Sequence, residues 1–230
     1  MKTEWEDPII RRYDRRRTIT VKADPNHGVA SPVFQNLRPK IEAIELPAGY
    51  ELEWGGEYES SGDANRMLLA SVPLFFVLMV LIVVALFNTV RQPFIVFMTV
   101  PLAIIGVTAG LLLTGQPFGF VALLGFLSLS GMLIKNSVVL LDQIDLNIKA
   151  GQKAFDAILD AGVSRLRPVA MAAFTTVLGM TPLVFDIFWR GMAVTIMAGL
   201  TFATVLTLVI VPVLYATLYR VSPSEMEPSS

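Results

Sequence analysis

A lysine lies inside a long apolar stretch of this chain. Lys135 is followed by the polar pair Asn136 and Ser137, and it lies about ten residues before Asp145, where the stretch becomes polar. At ~1.5 Å per helical residue, this places Lys135 about 15 Å deep, near the middle of a bilayer. A charge at that depth costs ~2.5–3.5 kcal/mol on insertion scales, so something must compensate it. The sequence predicts a buried ammonium paired with a carboxylate on another helix, as in proton- or ion-coupled carriers.

The carboxylate that would pair with this lysine is not evident in the sequence. Asp142 lies on the same helical face as Lys135, but at two turns it is too distant to pair directly. Asp186 lies near the opposite end of its own apolar stretch. We therefore expect the partner to come from sequence outside this chain. The alternative is a lysine that snorkels to the interface, although four methylene groups do not cover that depth.

The composition indicates a membrane protein. Hydrophobic residues make up 54% and charged residues 16% of the chain, with a mean hydropathy of +0.62, more apolar surface than a soluble domain of this size can bury. The net charge of −1 argues against a nucleic-acid partner. The chain has no cysteine and only His27, so we expect no zinc site and no cofactor. No HExxH, GxSxG or glycine-rich phosphate loop is present, which favours a transporter over an enzyme.

Five apolar stretches are long enough to cross a bilayer, which needs about 20 residues each. We predict membrane spans at about residues 67–90, 93–114, 118–144, 168–188 and 192–219. The polar segment 145–167 carries four basic residues and predicts a cytoplasmic linker, with an amphipathic helix lying on the lipid surface. The tail 221–230 falls on the same, cytoplasmic side. An odd number of spans then places the N-terminus in the periplasm.

Residues 1–62 are more polar and predict a small α/β unit. Segment 18–21 is β-branched and segment 50–54 alternates apolar and polar residues, so both indicate strands. Between them an apolar helical stripe follows Ser31-Pro32, with Pro39 expected to kink or interrupt it. The order strand, helix, strand fits a parallel pair with a crossover helix. The piece is too small to form a core alone.

One pair of glycines predicts a close contact between helices. Gly106 and Gly110 form a GxxxG pattern in the second span, which permits two helix backbones to approach closely. The pattern does not identify the second helix.

Several segments resemble one transporter family. Segments 131–140, 165–168 and 178–183 resemble the final helices of resistance–nodulation–division (RND) efflux permeases of the hydrophobe-amphiphile type. Segments 15–21 and 46–55 are similar to the end of that family's second periplasmic porter region. The resemblance implies a membrane α-helical fold, with the five spans as the eighth to twelfth helices and a small N-terminal α/β piece of a porter domain.

The resemblance also implies a mechanism. Family members are proton-driven, non-enzymatic antiporters of the bacterial inner membrane, in which a lysine matching Lys135 moves toward or away from an aspartate pair on the fourth helix. Lys135, Asn136 and Arg165 are then expected in the proton relay, with Arg165 at the cytoplasmic mouth. An equally good reading of Arg165 is a positively charged membrane anchor. The family's relay hydroxyl is replaced here by Ala172, and Thr175 or Thr176 are possible substitutes, unless they serve helix packing.

Partners and cargo follow from the same resemblance. A homotrimer with a periplasmic adaptor and an outer-membrane channel is expected, exporting small amphiphilic compounds and contacting membrane lipid. The alternatives are a metal-ion pump of the same family and a split subunit that assembles with a separately encoded N-terminal half.

Overall fold

The chain divides into two compact units, Met1–Glu53 and Trp54–Ser230. The computed structural model describes residues 10–23 and 30–221, so His27 and the tail from residue 222 lie outside the described residues.

In its described residues, the first unit contains a short hairpin and one helix. Strands β1 (Arg12–Tyr13) and β2 (Arg16–Arg17) pair in antiparallel fashion. Their two-residue turn has positive φ at both positions, as the primed turns of tight hairpins require. Helix α1 spans Ala30–Glu42 and is neither interrupted nor ended at Pro39, because the Pro39 carbonyl still accepts a hydrogen bond from the amide of Ala43 at 3.2 Å.

The prediction of two strands in this unit is wrong. Segments 18–21 and 50–54 are coil, and residues Ile19 and Val21 are 86% and 89% exposed. A β-branched or alternating pattern forms a strand only when a neighbouring strand and a core are available. In the described part of this unit the two short strands pair only with each other and leave these segments exposed, so no parallel pair forms.

The second unit confirms a mostly helical membrane protein. Its five long helices are each apolar enough to cross a bilayer: α2 (Glu57–Phe87), α3 (Arg91–Thr114), α4 (Phe120–Lys149), α5 (Ala154–Met180) and α6 (Arg190–Tyr219). A 3₁₀ turn at Thr181–Phe185 follows α5. Helix α2 begins at Glu57, before the predicted residue 67, because the polar residues after Gly56 continue the same helix.

The linker predicted at residues 145–167 is also different in the structure. Helix α4 continues to Lys149, and α5 begins at Ala154 and runs through Pro168 without a break. The predicted apolar stripe is therefore the first part of α5, and it is not free to contact lipid. Ile158 and Ala161 are buried in one cluster with Ile144 of α4. Packing against α4 explains why this segment joins the spanning helix.

Helices α3, α4 and α6 form the core of this unit, and α2 and α5 lie at its periphery. In the most apolar stretch of α6 half of the residues are buried, whereas in that of α5 none is. The core therefore depends on three helices, and two others have most of their apolar surface uncovered within this chain.

The closest helix contact joins α3 to α6. A Cβ atom on Gly110 would lie 2.2 Å from Cβ of Ala198, and one on Gly106 would lie 2.6 Å from Cβ of Phe202. Neither glycine could carry a side chain without a backbone shift. The structure thus identifies α6 as the helix that the GxxxG pattern approaches.

Candidate functional site

Helix α4 has one buried face and one open face. Lys135 lies at the middle of this 30-residue helix and its side chain is exposed. The open face is a stripe of exposed residues at helical spacing that runs along α4: Ser128, Gly131, Lys135 and Asp142. The other face packs against α3 and α6 with Leu133, Ser137, Leu140, Leu141 and Ile144. Helix packing therefore directs Lys135 away from the core of this chain.

Lys135 has no hydrogen bond or ion pair with any residue that the structure describes. Asp142 shares its face but lies seven residues on, about 10 Å along the helix axis. One turn before Lys135, Gly131 opens onto free space, with no heavy atom within 4 Å of a Cβ built there. The open face therefore has room for another helix at the depth of the lysine.

Asn136 does not join Lys135 in a polar cluster. Its side chain is half-buried at the edge of the packed face. The next residue, Ser137, is fully buried, with its hydroxyl 3.1 Å from that of Thr99 on α3. The polar run that the sequence shows is thus divided between the two faces of α4.

Arg165 lies in the first half of α5, near the end of α4. Its Nη2 donates a hydrogen bond to Oε1 of Gln143 at 2.7 Å, and Gln143 in turn donates to Asn147 at 2.9 Å. Asn147 donates to the carbonyl of Ala157 at 3.2 Å, which closes this chain of bonds between the two helices. Gln143 is eight residues beyond Lys135, about 12 Å along the axis. The structure therefore does not bring Arg165 together with Lys135.

The two candidate relay hydroxyls are bonded within their own helix. Thr175 is exposed and its hydroxyl lies 3.0 Å from the carbonyls of Met171 and Ala172. Thr176 is half-buried and donates to Ala172 at 2.8 Å. In this arrangement both protons serve local helix bonds.

A further polar cluster, which the sequence analysis missed, joins the ends of the three core helices. The Gln92 amide of α3 donates to both carboxylate oxygens of Asp145 on α4, at 2.8 Å each. The Tyr215 hydroxyl of α6 lies 3.4 Å from the same carboxylate, and its ring stacks on Tyr219. Gln92 is 3% exposed and its Oε1 has no partner among the described residues. These side chains lie at the polar ends of three separate spans, so only the packing of the helices shows that they meet.

Within the described residues, no group of three or more His, Cys, Asp or Glu side chains could hold a metal ion.

Comparison with known proteins bears on these features. The sequence matches the model of the AcrB/AcrD/AcrF family over residues 1–219. It is 30% identical over 217 residues to the cobalt-zinc-cadmium resistance protein CzcA of Cupriavidus metallidurans, covering 92% of this chain and 20% of CzcA. It is 27% identical over 222 residues to the multidrug export protein AcrF of Escherichia coli, covering 94% of this chain and 21% of AcrF.

A solved structure shows the same fold. The crystal structure of a heavy metal efflux pump matches with a TM-score of 0.65 and 28% identity, over 83% of this chain and 19% of that one. The chain thus spans about a fifth of the length of the proteins it matches. The family match covers nearly the whole sequence and agrees with the RND resemblance of the last helices, so this chain is a membrane protein that belongs to the AcrB/AcrD/AcrF family of transport proteins.

Proposed function

We propose that this chain forms the C-terminal, proton-coupling part of an RND efflux permease, with Lys135 as the moving cation. The observation that carries the proposal is the open face of α4, where a lysine lies in the middle of a spanning helix without a partner among the described residues. Leaving an ammonium at that depth facing lipid is unfavourable by ~2.5–3.5 kcal/mol. A carboxylate pair on a helix outside this chain would remove that cost.

The coupling follows from simple electrostatics. An ammonium next to two carboxylates stabilises their charged form, and each carboxylate that takes up a proton weakens the attraction. Proton binding then releases Lys135 and proton loss draws it back. Lys135 belongs to α4, and α4 packs against α3 and α6. Movement of the lysine toward and away from the carboxylates would therefore take place against a packed three-helix core.

The remaining site residues have supporting roles in this proposal. Arg165 is bonded to Gln143, which lies about 12 Å along the α4 axis from Lys135, and would guide protons at the cytoplasmic mouth or anchor the helix there. Asn136 would contact the incoming helix from the edge of the open face. Thr175 or Thr176 would join a relay only by giving up the bond to its own helix.

Orientation and assembly belong to the same proposal. Basic residues at the end of α4, in the connection and in the first half of α5 favour the inner membrane with the C-terminus in the cytoplasm and the N-terminal unit in the periplasm; they are Lys149, Lys153, Arg165 and Arg167. The whole protein would act as a homotrimer with a periplasmic adaptor and an outer-membrane channel. The other half of the permease would come from the same polypeptide or from a separate subunit.

The cargo has two candidates. We propose export of small amphiphilic compounds, which the similarity to AcrF supports. Export of divalent metal ions is the second candidate, supported by the similarity to CzcA and to a heavy metal efflux pump. Cells that express the full-length transporter, grown with a panel of amphiphilic drugs and of cobalt, zinc and cadmium salts, would distinguish the two.

The test of the coupling role is Lys135→Ala in the full-length transporter. We expect export to fall to the level of cells without the transporter, while the amount of protein in the membrane stays unchanged. Leu146→Ala is the matched control, since Leu146 is also exposed on α4 but carries no charge. Export retained by Lys135→Ala at normal membrane levels would contradict the assignment.

A further inference from the structure

The buried core between α3, α4 and α6 is divided into two apolar clusters. One contains Ile95, Val96, Leu141, Ile144 and Val211, and the other contains Ala103, Leu129, Leu133, Leu200 and Ala203. Each of the three helices also carries buried hydroxyls near the boundary between the two clusters. We call Thr99, Ser137, Thr204 and Thr207 the hydroxyl layer; each is at most 6% exposed. It lies within the membrane-spanning stretch of each helix.

The α3 and α4 members of the layer retain capacity for another hydrogen bond. The Thr99 hydroxyl donates to the carbonyl of Val96 at 2.7 Å. Ser137 Oγ lies 3.1 Å from Thr99 Oγ1 and 2.9 Å from the Leu133 carbonyl, but its single proton can serve only one of them. In either arrangement, Ser137 Oγ keeps an acceptor site.

The two α6 members differ from the other threonines of their helix. Thr195, Thr201 and Thr217 each donate to the carbonyl four residues earlier, at 2.7–2.8 Å. Thr204 and Thr207 have no hydrogen-bond partner in the part of the chain that the structure describes, although both are buried. Buried hydroxyls are rarely left unpaired, because the loss of hydration is then not compensated.

We infer that the hydroxyl layer is a binding site for ordered water between α3, α4 and α6. Leu129 contacts Gly199 and Asp145 contacts Tyr215, so α4 and α6 run side by side with Thr207 opposite Ser137 and Thr204 about one turn before it. A buried water needs two to four polar partners, and these three hydroxyls supply both donors and acceptors in one part of the core. The four side chains of the layer carry no charge, so the chemistry suits a neutral ligand that can both donate and accept. A cation would lack a balancing carboxylate.

The layer lies directly behind the lysine. Ser137 is two residues after Lys135 and faces the opposite side of α4. Bound water would tie α4 to α6 at the depth of Lys135, where apolar packing is interrupted. This inference does not depend on the proposed transport role, because it uses only the packing within this chain.

The test is whether removing a hydroxyl group of the layer lowers or raises the melting temperature. Thr204→Val and Thr207→Val keep the side-chain volume nearly constant and remove only the hydroxyl. If water bridges these groups, each variant loses its hydrogen bonds, and the melting temperature of the detergent-solubilised protein should fall by about 2–4 °C. If the hydroxyls are dry and unpaired, removing them should leave the melting temperature unchanged or raise it, which would overturn the inference.

Thr195→Val is the matched control, because Thr195 is fully buried on the same helix and its hydroxyl has a protein partner. A fall comparable to this control supports the bound water. An experimental density map of the unmodified protein provides an independent test, provided that it shows ordered water elsewhere in the molecule. Density within hydrogen-bond distance of Thr204 or Thr207 supports the site, and a clear absence there overturns it.

Discussion

The two faces of α4 differ in the neighbours that they contact. The inner face is in contact with α3 and α6 and carries side chains such as Leu133 and Leu141 that are fully buried. The outer face carries Lys135 with free space beside Gly131. Both faces belong to one helix, so the difference arises from their neighbours. Side-chain packing within the chain completes the inner face, whereas we propose that the outer face meets a partner of opposite charge.

The comparison teaches where sequence changes should matter for this chain alone. A substitution on the inner face of α4 disturbs contacts that are already formed with α3 and α6. The same substitution on the outer face of α4 disturbs no contact within the chain, and under the proposed function we expect its effect only in the full-length transporter.

The largest effect on stability is expected at the glycine contact. Gly110→Ala should destabilise the detergent-solubilised chain by ~1–3 kcal/mol, because its Cβ would lie 2.2 Å from Cβ of Ala198 and the helices must separate. Gly131→Ala is the matched control on the open face, where the added methyl meets nothing and should be neutral or slightly stabilising. Thermal unfolding of both variants checks this, and equal destabilisation would contradict the division into a packed and an open face.

A somewhat smaller effect is expected from the cluster at the helix ends. Asp145→Ala removes the acceptor of the buried Gln92 amide, and leaving that group unpaired should destabilise the chain by ~1–2 kcal/mol. Asp142→Ala removes an exposed carboxylate one turn away and should change stability by less than about 0.5 kcal/mol. Denaturation of the two variants under identical conditions measures the difference; its absence would show that the Gln92 bonds contribute nothing.

The smallest effect is expected at the α4–α5 contact. Arg165→Ala loses one part-buried hydrogen bond to Gln143 and should destabilise the chain by ~0.5–1 kcal/mol. Arg167→Ala, at an exposed position two residues later, should be close to neutral. If both arginines act only as positively charged anchors, the two variants will instead behave alike, which the same melting experiment would reveal.

The N-terminal unit shows a limit of local sequence patterns. Segments 18–21 and 50–54 have the composition of strands, yet they are coil in the structure. A strand depends on hydrogen bonds to another strand, and such partners need not be close in sequence. A spanning helix satisfies its backbone internally, so its hydropathy alone was sufficient to predict it.

The sequence by itself determined the five spanning helices and the family. It also located a charge in the middle of one span, because length, hydropathy and an isolated lysine are local properties. Only the tertiary structure decided that α5 continues through Pro168, that Gly106 and Gly110 approach α6, and that Gln92, Asp145 and Tyr215 meet. It also decided that Lys135 and Ser137 face opposite sides of α4. These features depend on the rotation and neighbours of each helix, which are set by the packing of residues far apart in sequence.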